Sequence, residues 1–203
     1  MAAIGQPFSG RPKLSERAQR YLSKLKRIMP VPTEEVERTL QRQGLECFPA
    51  WLDFHERYAG YVEDLGLEKA VLGIVHARTQ WFTPGTAEVR RSYHGDANWF
   101  ARCAEAHPSF EYELGDTGFF FHRPEASSFE VYLERVAAKL EFLAQPGVKW
   151  CWPWLPSPPV PPDHDALAVP EASDKHCRLL MSERVYMVCE TATGRIIESG
   201  TRG

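Results

Sequence analysis

The sequence predicts an α+β domain in which a mixed or antiparallel central sheet is flanked by helices. Three observations carry that prediction. Apolar residues recur at helical spacing near the N-terminus and between Phe129 and Leu143. Short β-rich runs lie between Ala70 and His122 and again after Arg184, and Gly, Pro and Asp residues of turn type separate these runs. The composition agrees: 43% hydrophobic residues with a net charge of −3 over 203 residues supplies a core and excludes a disordered chain. A chain of this length buries about 70% of its unfolded surface, so one domain over 1–203 is expected without disulfide or metal staples.

The elements follow in order. Leu14, Ala18, Tyr21, Leu22, Leu25, Ile28 and Met29 gather on one face of a helix, and Lys13, Arg17, Arg20, Lys24 and Arg27 form a basic stripe beside it. This amphipathic helix over 1–32 is expected to pack against the domain with its basic face solvated, and Pro30 and Pro32 end it. Thr33 is the expected N-cap of a second helix, Glu34, Glu35 and Glu37 suit its positive end, and Gly44 ends it. A third helix starts at Pro49, carries Trp51, Leu52, Phe54, His55 and Tyr58, and stops at Gly60. Val71, Leu72, Ile74 and Val75 read as a buried strand, with further strands over 87–93, 110–114 and 118–122 and a hairpin turn at Gly115-Asp116-Thr117-Gly118. Residues 97–106 read as a helix. Ser127 and Glu130 match a capping box before the helical pattern Phe129, Leu133, Val136, Leu140 and Leu143.

From 145 to 203 the character changes. Trp150, Cys151, Trp152 and Trp154 are followed by prolines at 153, 156, 158, 159, 161, 162 and 170, which exclude a regular helix or central strand and favour an extended strap packed through its tryptophans. Segments 184–190 and 195–199 around Thr193-Gly194 then suggest a closing hairpin.

Residues 1–10 lack the apolar run of a signal peptide, and no stretch has the ~18 apolar residues of a membrane span, so a cytoplasmic location is expected. Cys47, Cys103, Cys151, Cys177 and Cys189 are odd in number and widely spaced, which favours reduced, partly buried thiols. Common catalytic and nucleotide-binding motifs are absent from the sequence. Cys151, Asp163, His164, Asp165, His176 and Cys177 have zinc-ligand chemistry, but their spacing matches no standard zinc motif, and no metal or cofactor is expected. His55, His76, His94, His107 and His122 stand apart from obvious catalytic partners and read as structural or surface residues. Residues 1–42 hold nine Lys and Arg against four Asp and Glu, which leaves 15 against 23 in the remainder. The body is therefore acidic, which disfavours nucleic-acid binding and suits a basic protein partner.

Two segments carry a family resemblance. The stretch from Thr33 to Leu40, followed by Gly44-Leu45-Glu46-Cys47-Phe48-Pro49-Ala50-Trp51-Leu52-Asp53-Phe54-His55-Glu56-Arg57-Tyr58-Ala59-Gly60, resembles the opening of the SUKH superfamily. Ala126-Ser127-Ser128-Phe129-Glu130-Val131-Tyr132-Leu133 is similar to the closing helix of that superfamily. The resemblance covers about 33–144. It departs from the pattern at Phe48, where leucine is usual, and does not extend to the basic helix or the Pro-rich segment.

The resemblance implies an α+β, SUKH-like core and a binding protein without catalysis. Many bacterial members are immunity proteins that neutralise a cognate polymorphic toxin, and others are interaction modules. This chain is accordingly expected to occlude the active site or substrate channel of a toxin, a basic and nuclease-like one given the acidic body. The candidate contacts are the acidic Glu63, Asp64, Glu111, Glu113 and Asp116 with the aromatic anchors Trp81, Phe82 and Trp99. The alternative is a regulatory or scaffold module that docks on a membrane or nucleic acid through its basic N-terminal helix.

Overall fold

The structure, a computed structural model, describes residues 13–42, 44, 49–64, 69–75, 88–91, 99–105, 111–115, 120–121, 126–151 and 166–202. Helix α1 (Glu16–Lys24) opens on Ser15, whose side chain accepts the Ala18 N–H, and ends where Leu25 turns extended. It stops short of the expected Met29 because Lys26–Arg27 (β1) pair with Val62 and Tyr61, and Ile28 donates its N–H to the Gly60 carbonyl. Sheet bonds thus replace the last helical turn, and Met29 is left exposed. Helix α2 (Thr33–Arg42) begins after Pro32, whose carbonyl accepts the Glu35 and Val36 N–H groups. Thr33 is therefore the first helical residue rather than the cap, and its hydroxyl meets His55 instead. Helix α3 (Pro49–Tyr58) has Pro49 in the expected first position and buries Trp51, Phe54, His55 and Tyr58.

At Gly60 the chain turns with φ +86°, and its N–H donates to the Leu72 carbonyl. A Cβ there would lie 2.1 Å from the Ile28 carbonyl oxygen, so both backbone angle and space demand glycine. The strands β2 (Tyr61–Asp64), β3 (Lys69–Leu72), β4 (Glu88–Arg91), β5 (Trp99–Glu105), β6 (Glu111–Gly115) and β7 (Phe120–Phe121) follow. With β1 they form a seven-stranded sheet in the order β1-β2-β3-β5-β6-β7, with β4 also on β5 and every pair antiparallel. The expected hairpin is present as β6 and β7. Residues 97–106, expected to be helical, contain β5 instead. Alanine favours a helix by only tenths of a kcal/mol per residue over its competitors, and β5 gains ladder bonds from β3, β4 and β6 together.

Helix α4 (Phe129–Leu143) is capped by Ser128, in extended conformation, whose side chain accepts the Val131 N–H. The cap lies one residue later than the expected Ser127, and Glu130 is turned to Arg57 and Tyr58 rather than back to the cap. Beyond α4 come β8 (Val148–Cys151), β9 (Leu167–Ala168), a 3-10 turn at Pro170–Ala172, β10 (Cys177–Met181), β11 (Val185–Glu190) and β12 (Ile196–Arg202). They build a second antiparallel sheet in the order β8-β12-β11-β10-β9, so the expected closing hairpin, β11 with β12, is the centre of a sheet. Residues 152–165, which hold most of the Pro-rich strap, lie outside the described residues.

Among the described residues α4 serves the two larger core clusters. Phe129, Tyr132 and Leu133 join Trp51, Phe54, Tyr58 and Leu72, whereas Ala138 and Phe142 join Leu179, Tyr186 and Val188 of the second sheet. The inward face of α4 differs from the expected stripe. Leu140 and Leu143 are exposed, and Ala137, Ala138 and Phe142 are buried in their place, because the second sheet meets the helix from another side than α3 does. Among the described residues no helix is long and apolar enough to cross a membrane.

Candidate functional site

A buried polar arrangement lies where α1, β2 and α4 meet. Strand β2 turns Glu63 inward, where it is 0% exposed. Burying a carboxylate is costly unless its oxygens are satisfied. Here the Tyr21 hydroxyl of α1 donates to one oxygen at 3.0 Å and the Tyr132 hydroxyl of α4 to the other at 3.1 Å. Burial first, then the Glu63 charge and the hydrogen bond to it, push the Tyr21 phenol far above its ordinary pKa, so Tyr21 stays a donor. A second buried carboxylate, Glu134 of α4, accepts the Ser15 N–H at 2.7 Å and the Ser15 hydroxyl at 2.5 Å. On the rim, Arg17 meets Glu141 at 2.6 Å, and Arg20 reaches the other oxygen of Glu141 at 3.7 Å. Part of the basic stripe is thus paired with α4, and Arg27 donates to the Ala59 carbonyl while lying over the Tyr61 ring.

This geometry corrects the expectation for Glu63, which is an internal acceptor and not a surface contact. Period-two alternation sets Val62 and Glu63 on opposite faces of β2 but does not mark the acidic one as interior. Asp64 ends β2, Trp99 opens β5, and Glu111 and Glu113 lie on β6. The register sets Asp64 opposite Lys69, Trp99 opposite Arg91, Glu111 opposite Glu105 and Glu113 opposite Arg102. Because β3 and β5 lie between β2 and β6, those two strands are three strand spacings, about 14 Å, apart, and the register sets Asp64 further off along the strand direction from Glu111 and Glu113. Trp81, Phe82 and Asp116 lie outside the described residues.

The zinc-type residues do not converge where they are described. Cys177 is buried at the start of β10, and β11 and β12 separate that strand from β8, which ends at Cys151. Asp163, His164 and Asp165 lie outside the described residues, and no group of three His, Cys, Asp or Glu among the described residues could hold a metal. His55 is structural, as expected. It is buried, meets Thr33 through Nδ1 at 3.3 Å and the Ile74 carbonyl through Nε2 at 3.3 Å, and its pKa is lowered, chiefly by burial. The neutral ring fits both partners, with Nε2–H donating to Ile74 and Nδ1 accepting from Thr33.

Sequence reasoning missed a buried ion pair. Arg135 of α4 lies 3.0 Å from Asp174, with both side chains almost fully buried. Asp174 also accepts the N–H groups of His176 and Cys177 at 2.8 Å and of Ser127 at 2.7 Å, and Arg135 donates to the carbonyls of Ala172 and Cys177. Burial opposes ionisation of Asp174, but the Cys177 N–H, the Arg135 charge and the other backbone donors outweigh it and hold the carboxyl below its ordinary pKa. The local signal was an aspartate followed at two and three residues by backbone donors, a turn-forming pattern. The pairing with Arg135 had no such signal. Comparison with protein-family models, with curated proteins and with solved structures finds no match to the chain.

Proposed function

We propose that this chain is a SUKH-like immunity protein that binds and neutralises a cognate bacterial toxin. One observation carries the proposal: the two segments with the family resemblance pack directly on each other. Phe129 of the closing motif stands edge-on to Phe54 of the opening motif at 4.8 Å between ring centres, and 4.7 Å from Tyr58. Glu130 takes Arg57 at 2.6 Å and the Tyr58 hydroxyl at 2.9 Å. Residues that lie 72 and 73 positions apart in the chain are therefore in direct contact, as expected if the two motifs are parts of one domain type.

The acidic body is the second support, since opposite charge speeds encounter with a basic enzyme and fixes orientation. The contacts proposed are Asp64, Glu111, Glu113 and Asp116 with Trp81, Phe82 and Trp99, without Glu63. The module docking through its basic helix has less support, because Arg17, Arg20 and Arg27 already have partners within the fold. The test is co-expression with the toxin-like protein encoded beside this gene, together with a binding measurement on the purified pair. Protection with saturable binding is expected. Failure of both would overturn the proposal.

A further inference from the structure

We draw no further inference here: the strongest candidate, the cleft of about 300 Å³ where Arg17 of α1 and Gln145 beyond α4 face Leu167, Val169 and Met181 of the second sheet, carries nothing because the Arg17 guanidinium is already paired with Glu141 and nothing in the structure shows what covers the apolar wall.

Discussion

Replacing Asp174 by Asn removes one negative charge and little volume from a site where Arg135 is 3% and Asp174 6% exposed. The amide oxygen can still accept from His176 and Cys177, but the amide nitrogen would face the Ser127 N–H, donor against donor. The guanidinium also loses the carboxylate that offsets its burial. Breaking a buried pair in this way costs about 3–5 kcal/mol. For a chain of this size that corresponds to a fall of about 6–20 °C in Tm. Urea unfolding followed by circular dichroism gives the value directly. The pH dependence supplies a second reading. The folded carboxyl titrates below the unfolded value of about 3.9, so its contribution is complete above that pH and is lost as pH falls through the folded value. The D174N chain should lack that part of the acid limb. A loss below about 1 kcal/mol, or an unchanged acid limb, would refute the reasoning. So would an Arg135→Met/Asp174→Asn cycle with coupling below about 0.5 kcal/mol.

Other perturbations bear on separate parts of the fold. His55 is held neutral with a lowered pKa, so stability should be full above the unfolded value of about 6.5 and fall as pH drops below it, and urea midpoints at pH 7.5 and 5.5 should show a smaller difference in H55Q. Gly60→Ala forces a Cβ against the Ile28 carbonyl at positive φ and should lower stability by more than about 1 kcal/mol in the same assay, whereas Gly147→Ala, with open space around it, should cost less. Ser128→Ala removes the cap of α4 and should cost about 1 kcal/mol, and Ser127→Ala should cost clearly less; the reverse order would return the cap to Ser127.

Elements marked by local chemistry were legible in the sequence. Pro49 opens α3 where proline suits a helix start, the run from Val71 to Val75 is buried, and the strands around Gly115–Gly118 and Thr193-Gly194 pair as hairpins. What was misread depends on distant partners. The helical pattern from Leu14 to Met29 is continuous, and only pairing of Lys26 and Arg27 with residues more than 30 positions away cuts it short. The alanines of β5 look helical until β3, β4 and β6 are laid beside them. The charge of Glu63 on its own suggests exposure, yet it is buried. It is the two tyrosines, from helices on either side of it in the chain, that make an interior place tolerable. The five strands of the second sheet were read only in part, since β9 and β10 carry no turn signal as plain as that of the closing hairpin.

Because one helix closes both of the larger core clusters, the order of synthesis has a consequence. Trp51, Phe54 and Tyr58 leave the ribosome early, with Leu22, Val31 and Val36 before them, but their cluster stays incomplete until Phe129 and Leu133 follow, more than 70 residues later. Once α4 has emerged, its far half still needs Leu179, Tyr186 and Val188 from the last strands. A nascent chain arrested near residue 145 would therefore present the bare flank of α4 around Ala138 and Phe142 to chaperones and proteases, and the two sheets should melt as one cooperative unit in the finished protein.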